Sequence, residues 1–150
     1  MPRRFAPLPD DARVVRFVKP GGGHLPKGCV LPLPGWLAPN QNDKYEAGQR
    51  GRPAGLSVWD LGRATVPEAR ALAKMHGALA FAATAQACRD TGRTLSLVVD
   101  VVRDPLDVEK PKPAWDAHSL IEGLSAPKNA AGEPYKRLRS VLVDQFEPVA

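Results

Sequence analysis

A chain of 150 residues with 43% apolar and 25% charged content is long enough to bury one core without disulfides, and no apolar run in it approaches a membrane span. Its net charge of +5 permits nucleic-acid or acidic protein partners without demanding either. Two isolated cysteines, Cys29 and Cys88, do not match zinc-binding spacing and fit a reducing compartment. The opening MPRRFAPLPDD has no apolar stretch ahead of its acidic pair, so no secretory signal is read and a cytoplasmic location is expected.

In chain order, residues 1–12 read as a flexible arm ahead of a single domain at 13–150. Val14, Val15, Phe17 and Val18 form a β-branched and aromatic run that Lys19-Pro20-Gly21 stops, which predicts a strand. Cys29-Val30-Leu31 is expected to return as a second strand, with Pro32 and Pro34 placing its end at a sheet edge. Residues 34–55 show neither helical nor strand period and are expected to be irregular, pinned to the body by Trp36 and Tyr45. Leu56 to Trp59 alternates as a short strand does.

Thr65 and Glu68 then make a capping box with Pro67 in the first turn. Leu72, Met75, His76, Leu79, Ala83 and Ala87 follow at helical spacing, predicting one long central helix that Gly92 ends. Its second half, GALAFAATAQA, is small and apolar all round, as for a helix buried on two sides or in a subunit contact. Leu95, Leu97, Val99 and Val101 alternate with Ser96, Val98, Asp100 and Val102 and predict the central strand. Residues 104–117 are expected to be irregular, and His118-Ser119-Leu120-Ile121 to be a further strand. Tyr135, Leu138, Val141, Leu142 and Phe146, opened by Glu133-Pro134, predict a C-terminal amphipathic helix. The fold class expected is α+β: a small, mostly antiparallel or mixed sheet packed against one long central helix and the C-terminal helix.

Carboxylates and an imidazole gather in the second half of the chain: Asp100, Asp104, Asp107, Asp116 and His118. Such groups serve general acid–base chemistry or hard-metal binding. Their plainer reading is structural, because Asp104 and Asp107 flank Pro105 as turn residues do and Asp116 can cap a turn. His118, Asp116 and Asp104 are therefore the catalytic candidates, and no metal or cofactor site is assigned. GGGHLPKG at 21–28 lacks the order of a phosphate loop, since Lys27 precedes Gly28, and reads as a hairpin turn. His76, on the apolar stripe of the expected helix, reads as a core histidine. Cys88 lies near a helix end, where the dipole does not favour a thiolate. Cys29 neighbours His24 only in sequence, and Ser57, Ser96, Ser119 and Ser140 lack the G-x-S-x-G elbow. Trp36, Tyr45 and Trp115, in or beside irregular segments, are candidate partner-binding residues. Lys136, Arg137 and Arg139 form the densest basic cluster and a candidate nucleic-acid contact, without aromatics for base stacking.

Two segments, LSVWDLGRATVPEARAL at 56–72 and DAHSLIEGL at 116–124, resemble segments of short uncharacterised bacterial proteins. The resemblance implies a small bacterial cytosolic protein, encoded beside larger partners, and brings no site residues with it. With no catalytic motif in the sequence, the leading expectation is a non-enzymatic accessory protein that binds a protein partner or self-associates. The alternatives are a nucleic-acid-binding protein using Lys136, Arg137 and Arg139, and a small hydrolase or toxin-like nuclease using His118 with Asp104 or Asp116.

Overall fold

The computed structural model describes residues 4–105, 113–127 and 132–149. Asp107 and most of the acidic loop around it lie outside the described residues. The strands are β1 (Arg13–Val18), β2 (Gly55–Asp60), β3 (Leu79–Thr84), β4 (Asp100–Arg103), β5 (His118–Glu122) and β6 (Glu147–Val149). The helices are α1 (Gln41–Arg50), α2 (Val66–Leu72), α3 (Ala85–Thr94) and α4 (Glu133–Val143), with short 3-10 turns at Pro34–Leu37 and Pro113–Ala117. The strands form one sheet in the order β4-β5-β2-β1-β3-β6, and every neighbouring pair is antiparallel. The class is α+β, with strands at 13–18, 55–60 and 118–122 and a terminal helix where the periodicity puts them.

The single long helix expected after Thr65 is instead α2, β3 and α3. The capping box is present: Thr65 Oγ1 accepts from Glu68 N, and the Glu68 carboxylate accepts from Thr65 N. Lys74 at φ 56° and Gly77 at φ 76° then end the helix, because left-handed backbone cannot continue it. The small apolar run that follows is apolar all round because it holds β3, whose residues 80–83 are buried on both faces of the sheet. Thr84 restarts helical structure, its Oγ1 accepting from Ala87 N at 3.0 Å. Residues 34–55, expected to be irregular, hold the 3-10 turn and α1. Asn40 and Asp43 cap α1 reciprocally, and Gly51 closes it in the left-handed region at φ 64°.

Two further expectations are corrected. The strand predicted from Leu95 is shortened by Ser96 at φ 58°, and what remains, β4, borders the sheet instead of running through its centre. Cys29-Val30-Leu31 forms no strand: Cys29 is exposed, Val30 is 85% exposed, and the segment is a series of turns. Residues 5–8 lie along the outer edge of β4. Phe5 N and Leu8 N donate to the carbonyls of Arg103 and Val101, and Arg103 N donates to Ala6 O. Arg89 on α3 clamps this segment, donating to the Asp10 and Asp100 carboxylates and to the carbonyls of Leu8 and Val101.

The sheet's two faces are covered unequally. Leu56, Val58, Phe81, Val101 and Ile121 pack under Cys88 of α3, Leu138 and Leu142 of α4, and Trp36, in the larger core. On the opposite face Val15, Phe17, Trp59, Ala80 and Ala82 meet Val66 and Ala69 of α2 and Ala117, in a smaller cluster. The polar groups described next share that thinner face.

Candidate active site

Alternation along antiparallel strands places partner residues on one face. Trp59 pairs with His118, Ser57 with Leu120 and Gly55 with Glu122, so Ser57, Trp59, His118 and Glu122 point the same way. Ser57 is then the diagonal neighbour of His118, within side-chain reach. Beyond β4 the ladder runs one step further, with Asp104 N donating to His118 O at 3.0 Å, which brings Asp104 beside the imidazole. Three residues far apart in sequence thus meet through strand register.

His118 Nδ1 lies 2.8 Å from the main-chain carbonyl of Asp104, and Nε2 lies 3.1 Å from Ser57 Oγ. A carbonyl can only accept, so Nδ1 carries the proton. In the neutral ring Nε2 is then the acceptor, and the Ser57 hydroxyl donates to it. That is the protonation pattern a histidine needs to take a proton from a serine. The Asp104 carboxylate adds a longer contact, with Oδ2 3.4 Å from Nδ1. The Trp59 ring stands edge-on to the imidazole at 5.1 Å between centroids and fixes its plane. His118 and Asp104 are 7% and 4% exposed, so the interaction is sheltered from bulk water.

Arginines hold the carboxylates behind this array. Arg4 Nε donates to Asp104 Oδ1 at 2.7 Å, and Arg50 Nη1 lies 3.8 Å from Oδ2. Burial works to raise the Asp104 pKa, but the bonds and charges of His118 and Arg4 outweigh it and hold the carboxyl below its usual range. Arg52 grips buried Glu122 through two bonds, of 2.8 and 2.6 Å, and that pairing raises the Arg52 pKa. The guanidinium groups of Arg4, Arg50 and Arg52 surround the Phe5 ring, the nearest 4.3 Å from its centroid.

Ser57 and His118 form the wall between two cavities. On one side is a polar space of about 40 Å³ bounded by Arg50, Arg52, Asp104 and Glu122. On the other is an open cavity of about 650 Å³ with Phe17, Trp36, Trp59 and Met75 in its walls and Lys19 and His24 at its rim. The larger is in the size range of small-molecule sites.

Of the catalytic candidates read from sequence, the structure brings His118 and Asp104 together and leaves Asp116 exposed in the Pro113–Ala117 turn. Trp36 is only 2% exposed: its ring packs edge-on to Phe81 and Phe146, and its Nε1 donates to Phe17 O at 2.9 Å, so it is a core anchor. Tyr45 stands 67% exposed on α1, and Trp115 is half-buried in the 3-10 turn. Lys136 and Arg137 are exposed, Lys136 pairing with Glu133, while half-buried Arg139 donates to Leu124 O at 2.7 Å. His76 is exposed in the turn that ends α2, not in the core. Burial pushes the Cys88 thiol up to about 12, which keeps it inert.

Sequence reasoning set Ser57 aside because it lacks the G-x-S-x-G elbow. The available signal was a small hydroxyl between Leu56 and Val58 on the polar side of an otherwise apolar strand; its partner lies 61 residues away. The expectation of a non-enzymatic accessory role is overturned by this buried Ser57–His118–Asp104 network, whose proton positions are those of a nucleophile and its base. The described residues include no group of three or more metal-ligating side chains, and no helix among them is long and apolar enough to cross a membrane. No family model, curated protein or solved structure matches this chain.

Proposed function

We propose that this protein is a small hydrolase of acyl compounds, with Ser57 as nucleophile, His118 as general base and Asp104 as the group that orients and balances the imidazole. The observation that carries the reading is the fixed tautomer of His118, set by the Asp104 carbonyl at 2.8 Å, with Ser57 Oγ 3.1 Å from the free nitrogen. Ser57 Oγ attacks the substrate carbonyl as its proton passes to Nε2. The tetrahedral adduct collapses when the leaving group departs with that proton, leaving Ser57 acylated. Water then attacks the acyl carbon, gives its proton to Nε2, and the acid leaves as Ser57 regains its hydrogen. During each proton transfer the imidazolium lies 3.4 Å from the Asp104 carboxylate, an opposite charge in a sheltered site.

The apolar and aromatic walls of the large cavity favour an acyl compound over a polynucleotide. The small polar cavity on the other side of the pair has room for a water molecule.

The test uses a fluorophosphonate, which phosphonylates an activated serine with loss of fluoride, together with p-nitrophenyl esters of short acids. Covalent mass is expected on the peptide containing Ser57. Ser57→Ala should abolish labelling, and Ser57→Ala and His118→Ala should each lower ester turnover at least about a thousandfold. A chain that is neither labelled nor active, or labelling that persists in Ser57→Ala, would overturn the assignment.

A further inference from the structure

β1 and β2 pair at Val14 with Asp60 and at Val15 with Trp59, and then their direct pairing stops. The gap is bridged by side chains. Arg16 Nε donates to Trp36 O at 3.2 Å and Nη1 donates to Ser57 O at 3.1 Å, while Trp36 Nε1 donates to Phe17 O. The Arg16 guanidinium also lies 5.6 Å from the Trp36 ring centroid. It therefore sits in the wall of the large cavity, one bond from the main chain of the nucleophile.

Arg16 is half-buried, and Asp43 is the described carboxylate that acts on its charge, from beyond ion-pair distance. Burial lowers its pKa to about 10, with Asp43 pulling the other way, so it stays charged at neutral pH. Among the described residues no carboxylate forms an ion pair with it, as is also true of Arg13, Arg70, Arg103, Arg137 and Arg139 but not of Arg4, Arg50, Arg52, Arg63, Arg89 and Arg93. Both of its hydrogen bonds go to neutral carbonyls, and Nη2 has no described partner. A half-buried cation in the wall of a largely apolar cavity, with Nη2 left to donate, is suited to recognise an anion.

We infer that the large cavity takes a ligand with an apolar body and a single carboxylate, and that Arg16 binds that carboxylate, with Lys19 at the rim adding attraction. One guanidinium balances one charge, and its planar fork matches a planar carboxylate. The bond from Arg16 to the Ser57 carbonyl keeps the anion close to the nucleophile. The substrate class is thus a carboxylate-bearing acyl compound whose charge lies a few bonds from the bond that is cut, with its apolar part against Phe17, Trp59 and Met75. The role of the ligand as substrate rests on the hydrolase reading; its binding does not.

Titration calorimetry on the full chain, with 4-phenylbutyrate and its uncharged primary amide, tests this, and tryptophan fluorescence follows the same titration because Trp36 and Trp59 line the cavity. The carboxylate is expected to bind about ten- to a hundredfold more tightly than the amide. Arg16→Gln should reduce that preference to about twofold or less, and Ser57→Ala should leave it unchanged. Should Arg16→Gln not fold, the guanidinium resonance of Arg16 in the 15N-labelled wild type answers instead: it moves with the carboxylate and not with the amide. Equal binding of the two compounds, no binding of either, a preference that survives in folded Arg16→Gln, or an unmoved Arg16 resonance would each overturn the inference. A carboxylate preference in a chain that hydrolyses no ester and takes no fluorophosphonate would remove the hydrolase reading and leave the binding site. Ester hydrolysis without the preference would do the reverse.

Discussion

The bond that matters most at His118 comes from main chain. In the familiar serine–histidine–aspartate arrangement the carboxylate itself selects the tautomer, and changing it to an amide leaves the imidazole wrongly protonated, at a cost of about ten-thousandfold in turnover. Here the Asp104 carbonyl holds Nδ1 at 2.8 Å, and the carboxylate stands further off at 3.4 Å. Asp104→Asn keeps the carbonyl, and with it the tautomer, and loses only the charge that balances imidazolium. Its turnover is expected to fall about ten- to a hundredfold, well short of the loss in Ser57→Ala, as ester kinetics on the two variants would reveal. The same substitution has a signature in stability. The Asp104 pKa is lower folded than unfolded, so folding favours its ionised form. That stabilisation is present above the unfolded carboxylate value of about 3.9 and is lost as pH falls through the lower folded value. Urea midpoints between neutral pH and pH 3 should therefore drop more steeply in the wild type than in Asp104→Asn. Gly123 makes a separate point about backbone. It follows β5 at φ 95°, and a Cβ there would overlap the Val98 carbonyl oxygen. Gly123→Ala is expected to destabilise by about 3 kcal/mol, read from the same urea titrations.

Among the elements, the N-terminal segment has an unexpected share in the site. It pairs with the edge of β4, Arg89 fastens it there through Leu8 and Asp10, and it delivers Arg4 to Asp104 and Phe5 to the arginine cluster. Arg89→Met removes the clamp without touching Ser57 or His118. Faster hydrogen exchange at the amides of Phe5 and Leu8 is expected, with a fewfold loss of turnover as Arg4 leaves Asp104. Unchanged exchange at those amides would mean that the strand-edge bonds alone hold the segment. The elements also explain which parts of the fold could be read in advance. α4 has one apolar side and one polar side and β2 alternates, and their periods state it, while β1 was legible as a β-branched and aromatic run with Val14 and Val18 on one face and Val15 and Phe17 on the other. α1 buries only Ala47, so it has no apolar period, and its visible mark was the Asn40–Asp43 capping box. β3 is apolar on both faces, and its small residues happened to continue the spacing of α2; only Gly77 marked the break. β6 is three residues long and includes Pro148, which fits an edge strand but gives no alternation to read. His118 and Asp104 were legible as chemistry, whereas Ser57 and Arg16 acquire their meaning from pairing and from a gap between strands, neither of which a one-dimensional pattern contains.

For the molecule as a whole, the uneven covering of the sheet separates stability from chemistry. The larger core lies under α3 and α4, where Leu138, Leu142, Val101 and Ile121 are completely buried. The site and its cavity lie on the opposite, thinner face, where full packing would leave no room for a ligand. Leu138→Ala removes a buried side chain from the larger core and should cost about 2–5 kcal/mol. The urea midpoint should fall while the slope of the transition is unchanged, as for a cooperative domain that keeps its native and unfolded surfaces. Turnover per folded molecule should stay close to that of the wild type, because no atom of Leu138 lines either cavity beside Ser57. Ser57→Ala should behave in the opposite way, with stability within about 0.5 kcal/mol and activity lost. Trp36 is where this separation ends: its ring belongs to the larger core, its Nε1 and carbonyl brace β1 and Arg16, and one side of it faces the cavity. Trp36→Phe keeps most of the packing but deletes the donor to Phe17 O, so it should lower stability and carboxylate binding together. Urea denaturation and calorimetry on the same preparation measure both, and a loss confined to stability would mean that Arg16 keeps its position without the Trp36 brace.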